Sequence, residues 1–315
     1  MDPLNHRVRR FDKDGQVFNS WGGPGIVEGR LLRPGGIALN PDSGWVYVVD
    51  SGNNRVQRFD FQGRFLDSWG AQGIADGDFQ QPGQVVFEPI NQWLYVLDTG
   101  NNRIQRFDAR GRFLGKWGRE GSGDGWFRNP ESLALGLGWL YVVDVDNHRI
   151  QWFDYRGRYL GAKGGKGTAN GQFDRPAGIA VDQVNDWVYV VDSGNNRIQR
   201  FDTRLRFLNT WGTEGGAEDQ FRDPTGIALD VANGWVYVVD AGNNRVQKFD
   251  SRGNFLKVLG SSGTGDGQFQ APGTITVDES TGSVYVADTE SNRIHKFDTQ
   301  GRFLGQLFTG DVDGP

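Results

Sequence analysis

Cysteine is absent from the 315 residues, and histidine occurs only three times. With no thiol there is no disulfide, no thiolate metal site and no cysteine nucleophile, so stability must come from packing. No stretch approaches the ~18–20 consecutive apolar residues that a membrane-spanning helix needs. The opening MDPLNHRVRRFD is too polar for the core of a secretory signal. The chain as given therefore reads as soluble, with no compartment implied. Blocks of one charge are missing too: 34 Lys+Arg and 39 Asp+Glu are interspersed for a formal net charge of −5. That leaves no whole-chain basic footprint for nucleic acid. Helical 3.6-residue patterning is lacking throughout.

What is abundant is glycine, with 48 copies, beside 11 tryptophans and 21 phenylalanines. Glycine with aromatic and Val-rich runs predicts short strands joined by tight turns. These runs recur. The arginine of an "NxR" step falls at Arg7, Arg55, Arg103, Arg149, Arg197, Arg245 and Arg293, spaced 48, 48, 46, 48, 48 and 48 residues. The short interval has a local cause, because ALNPDSGWVYVV at Ala38 becomes ALGLGWLYVV at Ala134. A period of this length is the mark of a repeat architecture.

Each period reads as four strands. An apolar strand follows a proline, as in PGGIAL at Pro34, and a turn leads to WVYVVD at Trp45. The second strand's unbroken apolar character suits burial on both faces. SGNNR then leads to VQRFD, and a glycine-bearing hairpin such as FQG leads to RFLDSWG. Four strands per unit, with no helix, predict propeller blades. The expectation is a single all-β domain over 1–315, a six-bladed β-propeller of four-stranded antiparallel blades. Residues 34–308 supply six repeats of about 48 residues.

One hairpin is surplus, since the first and second strands occur six times and the third and fourth seven times. The chain opens on DPLN at Asp2, which aligns with DSGN at Asp50, so residues 1–22 form a half-blade. Two closures are open. The N-terminal hairpin completes the last blade and displaces the hairpin from Arg293 to Phe308, or the contiguous C-terminal hairpin completes it. The retained Ser20–Gly22 "SWG", lost to "QLF" at Gln306–Phe308, inclines the reading to the N-terminal clasp.

The motif VDSGNNRVQRFD, Val49 to Asp60, resembles the NHL repeat, and the resemblance runs through essentially the whole chain. It implies a six-bladed NHL propeller, a platform that hosts unrelated activities. Enzymatic relatives of that family hold zinc through several histidines, and similar six-bladed propellers hold calcium through Asp, Asn and Glu.

The aspartates Asp50, Asp98, Asp144, Asp192, Asp240 and Asp288 and the arginines Arg55, Arg103, Arg149, Arg197, Arg245 and Arg293 are expected as turn and interblade fasteners. An Asp at a strand end accepts turn N–H bonds, and an arginine fork holds carboxylates or carbonyls. A ring of carboxylates around a cation is the alternative, but an active site seldom needs six equal copies. His6 and His148 share one repeat slot three repeats apart, too far for one metal, and read as turn residues. No catalytic residue, metal ligand or cofactor is assigned. Phosphate binding by the glycine-rich loops is set aside because strands, not helices, follow them.

The loops joining one blade to the next share a face with the SGNNR turns and vary most, so recognition is expected there. Candidates for partner contact are Trp126 in its connecting loop and Trp152, Lys163, Lys166 and Arg175 in the stretch Asp144–Arg175, which departs furthest from the consensus. The leading expectation is a non-enzymatic scaffold binding a protein or peptide. Behind it stand an RNA-binding propeller, a metal-dependent hydrolase or lyase with a channel-mouth site, and a repeat protein serving as an assembly or folding model without a ligand. Homo-oligomers through the surplus hairpin are a further expectation, because an unmatched strand edge invites pairing.

Overall fold

The computed structural model describes residues 1–12 and 15–308. Among the described residues there is no α-helix, only strands and single 3-10 turns such as Ser51–Asn53. Six four-stranded antiparallel sheets follow one another. The first is built of Gly36–Asn40, Trp45–Asp50, Arg55–Asp60 and Phe65–Trp69. The next four run from Val85 to Trp117, Pro130 to Gly164, Pro176 to Trp211 and Pro224 to Leu259. In each the strands pair in chain order. Trp45 faces Asp60 and Asp50 faces Arg55, a register that keeps the apolar second and third strands level.

The sixth sheet corrects the closure expected above. It consists of Pro272–Asp278, Ser283–Asp288, Arg293–Phe297 and Phe303–Phe308, a contiguous piece of chain completed by its own hairpin. The N-terminal strands β1 (Arg7–Phe11) and β2 (Val17–Gly22) form a separate two-stranded sheet. A short connection makes the neighbouring hairpin far cheaper to dock than one from the distant chain end. That advantage outweighs the better match of the SWG sequence.

Met1–Asn147 with Gln151–Gly161 form one compact body, and His148–Ile150 with the chain from Ala162 form another. In the first, Tyr47, Val49 and Val56 of the first sheet share a core with Leu94, Val96 and Phe107 of the second. Tyr95, Leu97 and Ile104 do the same with Leu140, Val142 and Phe153 of the third. Val8 of β1 packs with Leu31, Val46 and Phe59, so the half-blade rests on the first sheet. In the second body, Tyr189 and Ile198 join Val236, Val238 and Phe249, and Tyr237 and Val246 join Val284, Val286 and Phe297. Each fully buried Val, Leu or Phe contributes roughly 1.5–3 kcal/mol, and a sheet realises this only through its neighbours.

An aromatic key sets the spacing of adjacent sheets. Trp69 ends the fourth strand of the first sheet and lies on Gly111 in the hairpin turn of the second. Gly111 has φ +81°, and a Cβ there would run into the indole. Trp21, Trp117 and Trp211 meet Gly63, Gly157 and Gly253 in the same way. Across the second and third strands, Arg58 stacks 4.0 Å from the Trp45 ring and donates to the Ala109 carbonyl at 3.0 Å. Tyr47 donates to the same carbonyl at 2.8 Å, and burial pushes its phenol up to about 12, so it stays a donor.

Candidate functional site

Every connecting loop is held to its own sheet by the recurring polar side chains. In the second repeat the loop runs over residues 71–81, anchored by the fully buried Phe79, whose N–H donates to Ala71 O at 2.8 Å. Asp98, with no exposed surface, accepts from the Gln80 N–H at 2.7 Å and from Arg103 Nε at 2.6 Å. The arginine fork continues to the carbonyls of Ile74, Ala75 and Asp78 at 2.7, 2.9 and 2.7 Å. Asn101 Nδ2 reaches both Asp98 and the Gly73 carbonyl at 2.9 Å. Gln105 closes the clamp, accepting from Gly77 N–H at 2.9 Å and donating to Asp78 O at 2.6 Å.

The same clamp recurs on Asp50 with Arg55, on Asp192 with Arg197 and on Asp240 with Arg245. Asp144 accepts from Arg128 N–H at 2.7 Å and from Gln151 at 3.1 Å. Asp288 accepts from Ala271 N–H at 2.6 Å, and Arg293 donates to Thr264 O at 2.8 Å. Arg149 begins the third strand of the third sheet. Asp2 repeats the pattern with Asn5 and Arg7 in the half-blade, which is the structural sense of aligning DPLN with DSGN.

Expected as turn and interblade fasteners, these aspartates and arginines bond the turns and the loops that connect one sheet to the next. A further bond to the next repeat comes from the residue just before the arginine. Asn54, in the left-handed region at φ 53°, accepts from Gln81 N–H at 2.8 Å. Asn102 and Asn196 accept from Asn129 and Asp223, both at 2.9 Å. His6 and His148 do this with Nδ1, accepting from Arg33 at 2.9 Å and Arg175 at 3.0 Å. They are bonded turn residues, not merely solvated ones, and an accepting Nδ1 leaves the proton of a neutral ring on Nε2. Sequence reasoning missed both the glutamine and this asparagine, although each recurs in register.

With the loops held, their tips and the turns frame a polar cleft of about 330 Å3 in the first body. Gln81, Thr99 and Asn102 line it from the second repeat and Glu120, Arg128 and Asp146 from the third. Asp146 stands where four other repeats have glycine, the departure visible in DVDNHR. The volume lies in the range of small-molecule sites, but the walls are charged and polar rather than apolar. Among the described residues no three His, Cys, Asp or Glu side chains are grouped to hold a metal.

The five candidates sort differently. Trp126 is half-buried, folded over Gly121 and Gly123 with the Arg119 guanidinium 3.5 Å from its ring centre. Trp152, also half-buried, takes the strand position of Arg58 and lies over Gly161. Both belong to the first body. Lys163, Lys166 and Arg175 belong to the second, Lys166 and Arg175 exposed on the 165–175 loop. Lys163 is half-buried with its stem along Gly171, at the sequence position held elsewhere by the key tryptophan. The glycine normally paired with that tryptophan is here Leu205, only 2% exposed and at φ 54°.

The NHL repeat family matches residues 31–59, 127–153 and 173–201, and a family described as a 6-bladed beta-propeller matches residues 226–309. No curated protein matches the chain in sequence. Among solved structures, virginiamycin B lyase from Staphylococcus aureus aligns with TM-score 0.67 and 13% identity over 96% of this chain and 87% of its own. Kuenenia stuttgartiensis hydrazine synthase gives 0.69 and 15% over 94% and 90%. A protein of unknown function from Desulfotomaculum acetoxidans gives 0.71 and 15% over 98% and 93%. Identities this low speak for the fold alone.

Proposed function

The chain is a six-bladed NHL-repeat β-propeller, and from that premise we propose that it is a non-enzymatic binding module whose loop face takes a protein or peptide. The observation that carries this reading is how the recurring polar side chains are spent. Asp98, Asn101, Arg103 and Gln105 are occupied with loop backbone, and His6 and His148 with single N–H groups. What varies between repeats is left at the loop tips, around a cleft with Glu120, Arg128 and Asp146 in its wall. Rigid loops displaying varied side chains suit recognition, because little ordering entropy is lost on binding. A polar cleft with both signs of charge suits an extended peptide carrying complementary charges.

The test is selection of displayed peptides on the immobilised protein. Enriched peptides are expected to compete with one another and to weaken at least tenfold on Glu120→Lys with Asp146→Lys. Peptides indifferent to those changes, or no enrichment at all, would overturn the reading. Salt-dependent retention on RNA or calcium-dependent melting would point instead to the nucleic-acid or metal-dependent alternatives.

A self-association reading is supported by the two-stranded sheet β1–β2, which has half the strands of every other blade. Deleting residues 1–22 and measuring mass in solution checks it: a mass per particle that falls from dimer to monomer supports it, and a monomer both before and after removes it.

A further inference from the structure

Five sheets carry a glutamine in the middle of the third strand, Gln57, Gln105, Gln151, Gln199 and Gln247, where the sixth carries His295. The glutamine amide works with both ends. Its Oε1 accepts a loop N–H at 2.8–3.0 Å, and its Nε2 donates to a loop carbonyl and to the clamp aspartate. Neutral imidazole has its one donor and one acceptor at opposed positions of a rigid ring and cannot copy that grip. In the structure His295 is fully buried, and neither Nδ1 nor Nε2 has a hydrogen-bond partner.

The surroundings are aromatic. Phe269, Phe303 and Phe297 lie 5.0, 5.8 and 6.5 Å from the His295 ring, centre to centre. Phe269 anchors the 261–271 loop itself, since Gly263 N–H donates to its carbonyl at 3.0 Å. The charged groups bearing on the ring are Asp288 on the second strand, Arg293 on its own strand and Asp266 on the loop. Asp288 Oδ2 is 3.9 Å from Nε2, beyond hydrogen-bond reach, and that carboxylate already accepts from Ser291, Gln270 and Ala271.

We propose that His295 is an acid-sensitive latch: uncharged, its ring plugs the space beneath the 261–271 loop, and on mild acidification the protonated ring leaves its aromatic box and frees that loop while the five glutamine-held loops stay closed.

The box offers an imidazolium no oxygen within hydrogen-bond distance, and Arg293 repels it. Burial accordingly holds His295 below its ordinary 6.5, with Asp288 opposing that shift. The sign follows from linkage. The unfolded or opened ring takes a proton near 6.5 and the closed one only at lower pH, so closure is fully favoured above about 6.5 and is lost as pH falls through the closed-state value. The latch does not depend on the binding reading, because it is read on the loop itself.

Hydrogen exchange of the full chain at pH 7.5 and 5.5, corrected for intrinsic rates, tests this. Peptides covering 261–271 are expected to lose at least tenfold more protection on acidification than those covering 71–81. His295→Gln should abolish that difference, and Gln57→His should transfer it to the 23–33 loop. Equal behaviour of the two loops at both pH values overturns the proposal, as does a selective loss that survives His295→Gln. A folded Gln57→His protein whose 23–33 loop stays closed at pH 5.5 counts against it as well.

Discussion

Arg175 donates its backbone N–H to Nδ1 of His148 at 3.0 Å, joining two residues 27 apart in the chain. The sister repeats make this bond with an asparagine oxygen. His148→Asn should therefore leave denaturant stability unchanged, whereas His148→Ala should cost about 0.5–1.5 kcal/mol. Equal losses for both variants in urea titrations would assign the bond no weight.

Asp98 and Arg103 form a nearly sealed pair, with side-chain exposures of 0% and 7%. Asp98→Asn keeps the shape but leaves the guanidinium without its anion, and a loss of about 3–5 kcal/mol is expected. The exposed Arg112, on Asp108, is the control: Arg112→Ala should stay within about 0.5 kcal/mol. Guanidinium unfolding of the two variants separates buried clamp from surface decoration.

Lys248 replaces the third-strand arginine in the fifth sheet. It donates to Thr299 O at 2.6 Å with its ammonium 2.9 Å from the Trp235 ring centre. Burial brings its pKa down to about 8. Its folded value thus lies below the unfolded one, so the folded state binds fewer protons in between and stability rises with pH from about 8 toward 10. Lys248→Arg, charged throughout, should flatten that slope in melting curves recorded across the range.

Lys163 and Leu205 look like independent oddities, yet they stand at the two positions where other repeats place Trp on Gly. Lys163→Trp alone should crowd Leu205, and Leu205→Gly alone should open a void. Together they should recover stability, with a coupling of about 1–3 kcal/mol in a double-mutant cycle. Additive losses would show that the two sites do not meet. Leu205 holds φ 54° at a cost of about 1–2 kcal/mol, part of what the double variant should regain.

Much of the architecture was legible because it is local and repeated. The 48-residue ruler, the proline before each first strand and the glycine hairpins all reflect short-range rules, and the sheets follow them. Closure was misread at the last blade, since a better SWG match says nothing about the entropy of bringing distant ends together. The clamp was half legible: Asp and Arg stood out as charges, but Gln105 and Asn102 pass for ordinary strand and turn residues until their backbone partners are seen. Lys163 read as part of a basic and aromatic patch because the stretch from Asp144 to Arg175 departs furthest from the consensus. Its packing along Gly171 shows only in three dimensions.

The bonds that grip each loop end on peptide carbonyls and N–H groups, which every amino acid except proline supplies alike. Tip residues can therefore be exchanged without renegotiating the scaffold beneath them. Such a chain is suited to drift toward new ligands one loop at a time, and to accept foreign recognition sequences grafted between its anchoring phenylalanines and the strand before them.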